Sequence, residues 1–119
     1  MFKMEILLDT NFLMLPAQGT DIYRQLEGRL ITLSACMKEL EKIAKGNGKQ
    51  ATEARVAMEL VKKHVMVVGA DRKADKAIHD YALKNGCAVA TNDRELIESL
   101  KRHNIKIIRL RQGKYLIEE

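Results

Sequence analysis

Cys87-Ala88-Val89-Ala90-Thr91-Asn92-Asp93-Arg94-Glu95-Leu96 carries the reading of the fold. Four small apolar residues run into a polar junction, and the junction runs into a helical pattern. Apolar side chains on both faces of so short a run describe a strand buried on both sides, as in a parallel sheet. Asn and Asp at its end are the residue types that cap a following helix. Met4-Glu5-Ile6-Leu7-Leu8-Asp9-Thr10-Asn11 has the same form, a buried strand ending in a polar turn.

Working outward, strand and helix alternate throughout. After Asp9 a helical stretch runs from about Asn11 to Glu27, broken near Pro16 and Gly19. Leu30–Leu33 is a second strand, and Ser34 is expected to cap a helix reaching about Lys45. Gly46-Asn47-Gly48 stops it, and Lys49 to His64 forms the next helix. Val65–Val68 is a third strand. From Ala74 to Asn85 an apolar stripe at helical spacing ends at Gly86. A helix follows the fourth strand, from about Arg94 to His103. Ile105–Leu110 is a fifth strand, with room for a short last one at Tyr115–Ile117. Strands joined by helical crossovers predict a parallel sheet covered on both faces. In such sheets the ligand crevice lies beyond the carboxyl ends of the strands, where strand order reverses.

The chain has 119 residues, enough for one domain (1–119) that buries roughly two-thirds of its unfolded surface. Its 21 Lys and Arg against 16 Asp and Glu give a net charge of +5. Apolar runs are too short to span a membrane. Glu5 stands where a secretory leader needs apolar residues, so a cytoplasmic protein is expected. Cys36 and Cys87 have no metal-ligand spacing and read as buried free thiols, and His64, His79 and His103 are scattered. No Gly-x-Gly-x-x-Gly follows the first strand, which disfavours dinucleotide binding.

Candidate chemistry lies in the acids. Asp9 and Asp93 close strands one and four, where ordinary capping is the competing explanation. Asp75 sits roughly 90° from the centre of its helix's apolar stripe, flanking the buried face. Asp80 projects further away, and Asp71 precedes the helix. Glu39 and Glu41 lie on opposite edges of the preceding helix's stripe, each about 100° from its centre, so the helical wheel leaves both open.

Leu8-Asp9-Thr10-Asn11, Glu39-Leu40, Ala74-Asp75-Lys76-Ala77-Ile78 and Ala90-Thr91-Asn92-Asp93-Arg94-Glu95-Leu96 together resemble the motifs of PIN-domain nucleases. The match spans the chain in order and is nearest to the small VapC-like type. The ending Arg109–Leu116 is also similar to PIN nucleases that process ribosomal RNA. The resemblance implies a three-layer α/β/α fold with a central parallel sheet of four to five strands in the order 3-2-1-4-5, placing Asp9 beside Asp93. It selects Glu39 over Glu41, because the family's glutamate precedes a leucine. One departure is Lys76, where many relatives carry a second acid.

Four clustered carboxylates repel unless a cation or protons neutralise them. An all-oxygen donor set selects Mg²⁺ or Mn²⁺. The resemblance therefore implies a metal-dependent endoribonuclease. Asp9 and Asp93 would be principal ligands, Glu39 and Asp75 direct or water-mediated ones, with Thr91, Asn92 and Asn11 in support. Setting those four acids aside leaves 12 others against 21 cations, a basic body around an acidic hole. Lys101, Arg102, Arg109, Arg111 and Lys114 fall in a late stretch with no acid and are expected to contact RNA phosphates. Implied partners are RNA, an antitoxin or ribonucleoprotein component, and a second copy in a homodimer. The alternative is a non-catalytic RNA-binding PIN-like scaffold, which has no need of converging acids. A receiver-like regulator needs an acceptor aspartate closing the third strand, where Val65–Gly69 has none, although Asp71 is near.

Overall fold

The computed structural model describes residues 4–70, 72–113 and 115–119. Six strands form one sheet: β1 (Glu5–Leu8), β2 (Arg29–Leu33), β3 (Met66–Val68), β4 (Ala88–Ala90), β5 (Ile107–Arg111) and β6 (Tyr115–Glu118). Their order is β3-β2-β1-β4-β5-β6. All pairings are parallel except β5 with β6. Between the strands lie α1 (Thr10–Met14), α2 (Ile22–Gln25), α3 (Ser34–Ala44), α4 (Lys49–His64), α5 (Ala74–Asn85) and α6 (Arg94–Lys101).

The connections run outward from β1 to β3, then return to β4 and continue to β5. Right-handed crossovers place helices on opposite faces when the direction of travel reverses. Accordingly α1, α3 and α4 pack on one another, and α5 packs on α6. Leu7, Leu8, Val89 and Ala90, fully buried between the layers, explain why β1 and β4 carry unbroken apolar runs. Phe12, also buried, stabilises the fold by ~1.5–3 kcal/mol by its own transfer from water. Both cysteines are buried free thiols, and burial pushes Cys87 up to about 11. Among the described residues no helix is long and apolar enough to cross a membrane.

Two details differ from the sequence reading. The sheet is mixed, with six strands where four to five parallel ones were expected. Gln112 and Gly113, with φ of 55° and 66°, turn the chain back, and a hairpin partner needs no crossover. Ser34 does not cap α3. Its hydroxyl donates to the Ala70 carbonyl (2.9 Å) and accepts from the Ala70 amide (2.8 Å), tying the loop after β3 to the start of α3. As expected, the first helical stretch breaks at Pro16 and Gly19, into α1, a 3-10 turn at Pro16–Gln18 and α2, with Gly19 at φ 103° stopping the turn. Asp71 lies outside the described residues.

The reversal point falls between β1 and β4. Leu8 pairs with Ala90, and the Asp9 amide donates to the Ala90 carbonyl (3.3 Å). The Thr32 hydroxyl donates to the Leu8 carbonyl (2.8 Å), which anchors the end of β1 from the other side. The carboxyl ends of β1 and β4 thus open side by side.

Candidate active site

Asp9 leaves β1 and becomes the N-cap of α1, one oxygen accepting from the Phe12 amide (2.8 Å). Its other oxygen accepts from the Thr91 hydroxyl (2.5 Å). Only 7% of Asp9 is exposed, and its carboxyl is raised from the ordinary 3.8 to about 6. Burial is the main cause; the Thr91 and Phe12 donors oppose it, while the charges of Asp93 and Glu39 reinforce it. Capping and a shared acidic pocket are therefore both true of this residue.

Asp93 caps α6, accepting from the amides of Glu95 (3.0 Å) and Leu96 (3.3 Å). Thr91 links the two junctions. While donating to Asp9, its oxygen accepts from the Asp93 amide (3.1 Å). Glu39, on the second turn of α3, accepts a hydrogen bond from the buried Thr10 hydroxyl. Asp75 projects from the first turn of α5.

Asp9, Glu39, Asp75 and Asp93 line one cavity of about 310 Å³, together with Thr10, Asn11 and Lys42. Glu41 is exposed and does not line it, and Asp80 is paired with Arg72 at 2.5 Å. Sharing a cavity is looser than full convergence: among the described residues no three His, Cys, Asp or Glu side chains are arranged to hold a metal ion. The donor set still fits a hard divalent cation in kind, being all oxygen, with one carboxylate buried beside negative charge. Glu39, Asp75 and Asp93 are exposed, which leaves their side chains room to turn toward a common point.

Of Thr91 and Asn92, it is Thr91 that contacts the Asp93 backbone. The Asn92 side-chain oxygen accepts from the Leu110 amide (2.9 Å), which commits it to β5. Among the described residues, none of the late basic stretch lines the acid cavity. The chain end brings acids to it: Lys101 and Arg109 pair with Glu119 at 3.3 Å and 3.1 Å, and Lys106 with Glu118 at 3.7 Å. Arg102 and Arg111 are exposed, and Lys114 lies outside the described residues. Two polar residues of the cavity escaped the sequence reading. Thr10 follows Asp9 directly, and Lys42 stands one turn after Glu39, a spacing that puts both on one helix surface.

A family described as PIN like domain matches residues 6–113. The chain is 34% identical over 122 residues to Ribonuclease VapC4 of Methanocaldococcus jannaschii, covering 93% of each. It is 31% identical over 118 residues to Ribonuclease VapC9 of Archaeoglobus fulgidus, covering 94% of this chain and 87% of that one. A solved structure, described as a domain of a functionally unknown Methanocaldococcus jannaschii protein, superposes with a TM-score of 0.62 at 18% identity. That alignment covers 98% of this chain and 97% of the other, and at such identity it speaks for the fold alone.

Proposed function

This chain belongs to the PIN-like domain family, and from that premise we propose that it is a VapC-type endoribonuclease hydrolysing RNA phosphodiesters at its acidic cavity with Mg²⁺ or Mn²⁺. The observation that carries this reading is that four carboxylates from four separate segments line one solvent-open cavity at the reversal of strand order. Two relatives named as ribonucleases, aligned over nearly the whole chain, support the same class.

Asp9 and Asp93 would hold the cation, with Glu39 and Asp75 binding directly or through water. When bound, a divalent cation polarises a phosphoryl oxygen and lowers the pKa of an attached water. Asp9 is kept in place by Phe12 and Thr91, so its oxygens are aimed before substrate arrives. Thr91 fixes the spacing of the Asp9 and Asp93 junctions. Thr10 orients Glu39, which can accept the proton of an attacking water. Lys42 brings the one cationic side chain among the described residues of this cavity, and would offset negative charge developing on a phosphoryl group bound there. No covalent intermediate is invoked. The reading extends to one catalytic domain over 1–119, a cytoplasmic setting, an antitoxin as protein partner and a homodimer. Both relatives' names favour the toxin role over ribosomal RNA processing.

A labelled single-stranded RNA incubated with purified protein tests this. Cleavage is expected with Mn²⁺ or Mg²⁺ and lost with chelator. Glu39→Gln should lose it, while Glu41→Gln, outside the cavity, keeps it. Binding without cleavage by the wild type under every divalent ion would favour the scaffold alternative, and cleavage by Asp9→Asn would remove Asp9 from the chemistry.

A further inference from the structure

A second cavity, of about 370 Å³, lies between the start of α3 and the entry to α5, and shares Glu39 and Asp75 with the acid cavity. The two are therefore neighbours, with these side chains between them. Among the described residues its remaining charged side chains are all cationic: Lys38, Arg72 and Lys73. We propose that this groove holds a backbone phosphate of the RNA strand next to the scissile one, with Lys38 and Lys73 as its contacts. The proposal rests on the ribonuclease reading and names where its substrate runs.

Several observations converge. Arg72 is already committed to Asp80 at 2.5 Å, whereas Lys38 and Lys73 make no ion pair among the described residues. Both are exposed, so their ammonium groups reach a ligand without a burial cost. The double hydrogen bond between Ser34 and Ala70 holds the groove's two walls together. Helices α3 and α5 both begin here with no side-chain cap, so their positive ends add the same sign. A polyanion approaching four carboxylates meets repulsion, and cations at the rim of that same cleft offset it. The late basic stretch is poorly placed to do so, since three of its cations are paired with Glu118 and Glu119.

Charge-matched variants separate a local contact from a general field. Binding of a labelled single-stranded RNA is measured by anisotropy in chelator across a salt series. The proteins are wild type, Lys38→Ala/Lys73→Ala and Lys63→Ala/Lys84→Ala, the last pair exposed at the C-terminal ends of α4 and α5. Each phosphate neutralised on a single strand contributes about 0.7 to the log–log salt slope, so the first variant, which frees the one phosphate of this groove, should flatten it by about 0.7. The second, which removes equal charge elsewhere, should change it by a few tenths at most. Equal flattening in both variants, no flattening in the first, or no salt-dependent binding by the wild type would overturn the proposal. Cleavage of the same RNA with Mn²⁺ is followed in parallel. Cleavage with an unaltered slope rejects the groove and spares the ribonuclease reading. A flattened slope with no wild-type cleavage does the reverse.

Discussion

Replacing Asp9 by Asn should make the protein more stable while it destroys the proposed activity. In the folded chain the Asp9 carboxyl lies at about 6 instead of 3.8, chiefly through burial. A raised folded value means the native state binds the proton more tightly than the unfolded chain. The ionised form therefore destabilises: the cost is absent below about pH 4, grows through pH 6 and is complete above it. At ~1.4 kcal/mol per pH unit, the displacement from 3.8 to about 6 bounds the penalty at ~3 kcal/mol. Asparagine does not recover all of it. Its oxygen can keep the Phe12 amide, but its NH₂ faces a Thr91 hydroxyl that now has to accept while already accepting from the Asp93 amide. A net gain of about 1–2 kcal/mol remains, or roughly 3–8 °C in Tm for a chain of this length. Thermal melts in chelator at pH 8 and pH 4 measure it. The variant should melt higher at pH 8, and the difference should vanish at pH 4. Added Mn²⁺ should raise the wild-type Tm and leave the variant's unchanged, because binding to the native state alone stabilises it by mass action. An Asp9→Asn protein no more stable than wild type at pH 8, or a difference that persists at pH 4, would refute the claim that burial beside negative charge strains this site.

Thr91→Val keeps the shape but removes a donor to Asp9 and an acceptor for the Asp93 amide. It should cost ~1–3 kcal/mol. Because the Thr91 donor lowers the Asp9 carboxyl, the variant's Asp9 should titrate higher still, read by carboxyl chemical shifts against pH. Gly28→Ala acts far from the cavity. Gly28 has φ 146°, and an added Cβ would fall 2.4 Å from the Met4 carbonyl oxygen, which accepts the Arg29 amide at 2.9 Å. Strain and a lost backbone bond should lower stability by at least about 2 kcal/mol in denaturant melts, with the denaturant slope unchanged.

The strand-end acids were legible because their signals are local. An apolar run that stops at Asp9 or Asp93 marks both a strand's end and a helix cap, and both residues do cap their helices. Glu39 against Glu41 was not decidable from α3 alone, since helical angle places them symmetrically. The contact with Thr10 and the shared cavity separate them. The partner of the Asn92 oxygen was not legible, because the Leu110 amide lies on a neighbouring strand. The late cations looked unopposed along the chain, yet β6 runs antiparallel to β5 and returns Glu118 and Glu119 to them.

Strand and helix alternation, the glycine and proline breaks and the two polar junctions follow from sequence alone, for each is written within a few neighbouring residues by periodicity, capping or backbone restriction. The resemblance had already selected Glu39 over Glu41; only the folded chain decided that Thr91 joins the two junctions, that Lys42 lines the acids, and which cations the chain end engages. Those relations join residues tens of positions apart, and they exist because β1 and β4 pair in one register and α3 and α5 meet beyond it. Hydrogen bonds and charges act over a few ångströms of space, and a linear pattern does not record which distant segments come that near.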